Sequence, residues 1–141
     1  MMIKSIEYLS LKEALEFQPQ DSTIAISILS PGRAQEALHP GINPVLRLYF
    51  EDTTGKEGAS PAPGIFNTNQ AREILHFVRH HRDTPEPCHL LVHCEAGISR
   101  SAAVAVFAAS ECSIPLTGQF AFLNPWVLSM LVKTAYPHYG F

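Results

Sequence analysis

Residues 88–110 read CHLLVHCEAGISRSAAVAVFAAS. The apolar run that begins at Cys88, just after Pro87, reads as a buried strand, and the alanine- and valine-rich run after Ser101 reads as an apolar helix. Between them a tight polar loop carries Cys94, Gly97 and Arg100 in the spacing H-C-x-x-G-x-x-R-S. In such a strand–loop–helix unit the loop amides and the helix N-terminus converge on one point. Unpaired N–H groups and the helix dipole both present positive charge there, so the point attracts an anion. A cysteine at the start of the loop has its thiolate stabilised by the same field.

Outward from this unit the chain alternates strand and helix. Asn67 or Thr68 caps a helix running to about Arg82, with Ile74, Leu75, Phe77 and Val78 as its apolar stripe. Asp83 to Pro87 ends it and delivers the chain to Cys88. Further back, Val45 to Phe50 reads as a strand, less uniformly apolar than a central one because of Arg47. Thr23 to Leu29, β-branched and bounded by Asp21-Ser22 and Pro31-Gly32, reads as another. Met2 to Tyr8 reads as the first strand. Ser10 and Glu13 then form a capping box for a short helix to about Phe17, stopped by Pro19. Arg33 to Leu38 reads as a helical turn. Thr53 to Phe66 is a long irregular connection rich in glycine and proline, of the kind that serves as a lid or binding loop. Beyond Cys112, Phe120 to Lys133 reads as helix in one or two pieces broken near Asn124-Pro125, and the tail AYPHYGF reads as packing back on the domain. The expectation is a single α/β domain over residues 1–141. Its central, mostly parallel sheet has four to five strands flanked by helices, with the loop between a central strand and a helix.

Composition narrows the classes. The chain has 141 residues, enough for one core, and a net charge of -3. Arg72, Arg79 and Arg82 are interspersed with Glu73 and Asp83, which reads as a solvated helix face and gives no nucleic-acid footprint. Cys88, Cys94 and Cys112 are an odd count without framework spacing, which argues for a reducing compartment. MMIKSIEYLS lacks the apolar core of a signal peptide, and no run reaches the roughly 18 apolar residues of a membrane span. A cytoplasmic protein with no membrane span is expected. His76 and His80 have the spacing of a metal pair but no third ligand nearby, so they read as a solvated face, with no metal site.

Each loop residue suits one chemistry. Cys94 ends a buried strand, where α/β folds place their ligand sites. Gly97 lets backbone approach a ligand closely. Arg100 offers a planar fork for two oxygens of a phosphate. Ser101 lies near the first helical turn, where its hydroxyl can donate toward the Cys94 sulfur. A cysteine beside an anion cradle and a guanidinium fits attack on a phosphate ester better than attack on an acyl group.

His93-Cys94-Glu95-Ala96-Gly97-Ile98-Ser99-Arg100-Ser101 resembles the signature loop of the cysteine-dependent protein tyrosine phosphatases. It is closest to the compact dual-specificity branch, whose loops read H-C-x-A-G-x-S-R-S. The resemblance extends back through the helix at Thr68 to the acidic strand end at Asp52, and thins out before Thr23 and after Cys112. It implies that Cys94 attacks phosphorus in line to form a cysteinyl-phosphate, which water then hydrolyses. It also implies that Arg100 and the backbone of Glu95, Ala96, Gly97, Ile98 and Ser99 hold the phosphoryl oxygens, while Ser101 assists departure of the thiolate. No metal or cofactor is implied. His93 is expected to orient the loop by hydrogen bonding. The family's general acid is an aspartate on a mobile loop. Asp52 occupies that position, with Glu51 as its neighbour and rival, and Asp83 and Glu57 as weaker candidates. Family members carry a Pro-Asn near the final helix whose asparagine braces the loop; here the order is Asn124-Pro125, which puts Asn124 in that role.

The implied substrate is phosphotyrosine on a protein or peptide, with phosphoserine or phosphothreonine as further substrates. One alternative is a phosphatase of lipid or RNA phosphates, opposed by Glu95 and by the lack of extra basic residues in the loop. The other is a catalytically silent phosphate-binding module, opposed by Asp52. Cys94 is expected to be an exposed thiolate open to oxidation. Cys88, about 20 Å away along the strand, and Cys112, a full helix away, are out of bonding reach of it.

Overall fold

The β-branched and leucine-rich runs form strands β1 (Ile3–Leu9), β2 (Thr23–Leu29), β3 (Ile42–Tyr49) and β4 (Cys88–His93). The computed structural model describes residues 2–53 and 64–138, so Glu57 and most of the long connection lie outside the described residues. The sheet has four strands in the order β1-β4-β2-β3, and every pairing is parallel. A parallel sheet needs both faces covered. Period-two alternation sends Ile24, Ile26, Ile28, Leu90 and Val92 to one face. There they join residues of helices α2 (Thr68–Arg82), α3 (Arg100–Cys112) and α4 (Pro125–Ala135) in the main core. Ala25 and Leu91 face the other way, toward the short helix α1 (Leu11–Glu16).

Strand burial follows position. β2, flanked on both sides, is buried at all seven positions. β3 is an edge strand, which is why Arg47 is tolerated in it. It begins at Ile42, earlier than the expected Val45, and includes Pro44. Proline lacks the N–H of a central ladder but fits an edge, where one side has no partner strand. The expected helical turn at Arg33–Leu38 is absent. Only Leu38 of that segment is buried, so no apolar stripe holds a turn down.

Helix starts agree with their capping chemistry. Ser10 and Glu13 complete a capping box for α1, and Asn67 and Gln70 complete another for α2. The last helix is one piece from Pro125, and residues 120–124 are not helical. Proline at the first helical position loses no bond, and the Asn124 side chain accepts from the Val127 N–H. The tail folds back as expected at Tyr136, whose hydroxyl donates to Glu111 beneath the Arg79 guanidinium; residues 139–141 lie outside the described residues. Among the described residues no helix is long and apolar enough to cross a membrane.

Candidate functional site

β4 delivers its carboxyl end to the middle of the sheet, between β1 and β2. The loop then folds onto the end of β1. The Cys94 N–H donates to Leu9 O (3.3 Å) and the Leu11 N–H donates to Glu95 O (3.1 Å). Gly97 makes the closest approach. It has φ +75°, and a Cβ there would lie 2.6 Å from the Leu9 carbonyl carbon and 2.8 Å from Ser10 Cα. From Ser99 the chain enters α3, whose alanines at 102, 103, 105, 108 and 109 are all buried in the core. Small residues let the helix axis, and so its N-terminus, approach the sheet closely.

Cys94 lies on the β4 face turned toward α3 and is 1% exposed. The expectation of an exposed thiolate is therefore corrected: the sulfur is at the floor of the loop, because strand alternation points it inward. Sγ lies 3.1 Å from Ser101 Oγ and accepts from the Gly97 N–H at 3.2 Å. His93 points to the opposite face and bonds the Cys94 carbonyl through Nδ1 (3.2 Å). Burial lowers the His93 pKa, the bond to the Cys94 backbone partly offsets this, and the Arg47 charge lowers it further. A neutral ring with its proton on Nδ1 fits that bond. Cys88 and Cys112 are buried free thiols; burial pushes Cys88 up, and Cys112 up to about 11.

Arg100 is 4% exposed. Nη1 donates to Phe50 O (2.8 Å) and Ser30 Oγ (3.2 Å), and Nη2 donates to Glu95 Oε1 (2.9 Å). Nε is buried and has no partner among the described residues. Both terminal nitrogens of the fork are thus already engaged by protein oxygens. Glu95 also accepts from Ser30 N–H (3.2 Å) and Ser30 Oγ (3.0 Å), and pairs with Arg33 (3.3 Å). Burial pushes the Glu95 pKa up, but the bonds from Arg100 and Ser30 outweigh it and hold the carboxyl down at about 2. A folded value below the ordinary 4.5 contributes stability that is present above pH 4.5 and lost as pH falls toward 2. That contribution is at most about 3 kcal/mol at neutral pH. Between pH 4.5 and 2 the urea midpoint of the wild-type protein should therefore fall more steeply than that of Glu95→Gln; parallel curves would show that Glu95 is not the linked group.

Asp52 follows β3 and is exposed. Its Oδ1 accepts from Ser99 Oγ and from Asn124 Nδ2, both at 2.7 Å. It therefore touches the same loop that holds Cys94 and Arg100. Glu51 does not share these contacts; its N–H donates to Gly64 O (2.8 Å), which ties the two ends of the long connection together. Asp83 pairs with Arg82 just before β4 begins, at the opposite edge of the sheet from Cys94. Asn124 is buried, and its backbone N–H donates to Ser99 O (3.2 Å).

Ser30 and the Phe50 carbonyl, which hold Arg100, were not identified from sequence. Their only signal is position: they follow β2 and β3, and become neighbours of the loop once β2 lies beside β4. Ser99 as a partner of Asp52 was likewise missed, because serine at a helix start reads first as a cap.

The fold and this geometry define an α/β protein with a cysteine-bearing loop at the carboxyl edge of a four-stranded parallel sheet. No protein-family model matches the chain, and no curated protein matches it.

Proposed function

We propose that the protein is a cysteine-dependent phosphatase of phosphomonoesters. Its substrate class is phosphotyrosine on proteins or peptides, with phosphoserine and phosphothreonine as further substrates. The observation that carries this reading is the hydrogen bonding of Asp52, from the end of one strand, to the loop that follows another and holds both Cys94 and Arg100. Nucleophile, cation and proton donor are then parts of one site.

The geometry supports a two-step route. Cys94 Sγ forms a bond to phosphorus as the ester P–O bond breaks, and the leaving oxygen takes a proton from Asp52. The unpartnered Nε of Arg100 and the loop amides carry the charge of the phosphoryl oxygens. Water then attacks phosphorus, Asp52 takes its proton, and the S–P bond breaks. Ser101 Oγ, at 3.1 Å from the sulfur, donates to the departing thiolate. Ile98 is 48% exposed on the loop and offers an apolar contact to an aryl ring.

The lipid- or RNA-phosphate alternative finds less support. An open cleft of about 380 Å³ adjoins the loop, lined by Glu16, Glu36 and Glu95 against Lys12 and Arg33. That surface has no surplus of positive charge for further phosphates. A silent binding module would not need a carboxyl group bonded to its anion loop. Three free cysteines support a reducing, cytoplasmic setting.

The test is a pair of aryl phosphates with different leaving groups. Asp52→Asn should slow phenyl phosphate by about 100-fold and the better leaving group of para-nitrophenyl phosphate far less. Glu51→Gln should slow neither, and chelation by EDTA should leave the wild-type rate unchanged. Absence of turnover by the wild-type protein would refute the reading.

A further inference from the structure

Serine is a favoured helix cap because its hydroxyl accepts from an amide of the first turn. Ser99 holds that position for α3 but makes no side-chain cap. Its Oγ donates instead to Asp52 Oδ1 at 2.7 Å. The same oxygen accepts from Asn124 Nδ2, also at 2.7 Å. Asn124 is 3% exposed and its polar groups are occupied. Nδ2 also donates to Thr53 O (2.9 Å), Oδ1 caps α4 through the Val127 N–H (3.1 Å), and the backbone N–H donates to Ser99 O (3.2 Å). These bonds leave the amide no alternative rotamer that keeps them. One oxygen of Asp52 is thus held from the starts of two helices, while the backbone bond from Asn124 to Ser99 joins the two donors to each other.

We propose that Ser99 and Asn124 are a positioning pair for Asp52. They fix its carboxyl group against the Cys94 loop and select the oxygen that carries the transferred proton. This deepens the phosphatase reading and rests on it. An oxygen that accepts from two donors has no room for a proton of its own, so the proton of the acid is on Oδ2. In the first step the Cys94 thiolate forms S–P, the ester P–O bond breaks, and the leaving oxygen takes the Oδ2 proton. In the second step the water oxygen bonds phosphorus, S–P breaks, and the proton released by water returns to Oδ2. Sulfur leaves as thiolate, so protons and electron pairs balance.

The pair acts through Asp52, so its loss should be read only where Asp52 matters. Ser99→Ala removes one donor. Asn124→Ser removes the other but keeps a capping hydroxyl for α4. Each variant should lower kcat on phenyl phosphate by about 10-fold, with kcat on para-nitrophenyl phosphate and the Kd for orthovanadate each changed by less than about 3-fold. Ser99→Thr, which keeps the hydroxyl, should restore the rate. In the Asp52→Asn background Ser99→Ala should cost nothing further. Equal losses on both substrates, weakened vanadate binding, or an additive loss in that background would overturn the pair, because each means that the residues support the loop rather than the acid. If Asp52→Asn itself shows no leaving-group dependence, the acid assignment fails and the pair with it, while turnover through Cys94 stands. If the wild-type protein turns over neither substrate, the phosphatase reading fails as well.

Discussion

Cys94→Ser should reduce aryl phosphate hydrolysis by at least about 10⁴-fold, as loss of a covalent nucleophile does elsewhere. The sulfur lies at the floor of the loop, 3.2 Å from a loop amide and 3.1 Å from a hydroxyl that can donate to it as it departs. Serine is smaller and holds its proton far more firmly, and among the described residues the Cys94 sulfur hydrogen-bonds only a hydroxyl and an amide, neither of them a base that could take that proton away. Binding of orthophosphate, read by calorimetry, should survive, because Arg100 and the amides are untouched. Substantial residual turnover would refute the covalent route. Arg100→Lys belongs to the same experiment and should cost about 10³-fold. Lysine has one nitrogen where Arg100 uses two for Phe50 O, Ser30 and Glu95 and keeps Nε besides. Neither Cys88→Ala nor Cys112→Ala removes a group near the loop, so both should keep the wild-type rate.

The elements were legible where local chemistry and tertiary packing agree. β2 occupies the range its β-branched run predicts, since both neighbours reward the same apolar residues. The capping boxes of α1 and α2 could be read because each is closed within four residues. Local signals failed where the outcome depends on what lies alongside. Pro44 argues against a strand until β3 is known to be an edge, and residues 120–124 look helical until Asn124 is seen to cap a helix that starts at Pro125. The same division runs through the site. Loop spacing brings Cys94, Gly97, Arg100 and Ser101 together by itself. The inward aim of Cys94, the grip of Ser30 and Phe50 on Arg100, and the grip of Ser99 and Asn124 on Asp52 all depend on strand order and on where α4 docks.

Gly97→Ala should unfold the protein at markedly lower urea, with a loss of about 3 kcal/mol or more. Two costs add. The left-handed backbone at φ +75° is strained for any residue with a Cβ, at about 1 kcal/mol or more. The added methyl would also meet the Leu9 carbonyl carbon at 2.6 Å and Ser10 Cα at 2.8 Å, which are backbone atoms and cannot swing aside as a side-chain end would. Relief requires moving the loop off β1. That would break the bonds from Cys94 N–H to Leu9 O and from Leu11 N–H to Glu95 O, and disturb the Ser10–Glu13 capping box. The Gly97 N–H also bonds the Cys94 sulfur, so turnover should fall in whatever fraction remains folded. Gly32→Ala separates the two costs. Gly32 has a similar φ, +86°, but open space within 4 Å of the added Cβ, so only the backbone strain applies there. The clash predicts a difference between the two variants of about 2 kcal/mol in urea unfolding. Equal losses would mean that the loop is free to move away from β1, and that the close packing of Gly97 against Leu9 and Ser10 is not what holds the Cys94 loop in place.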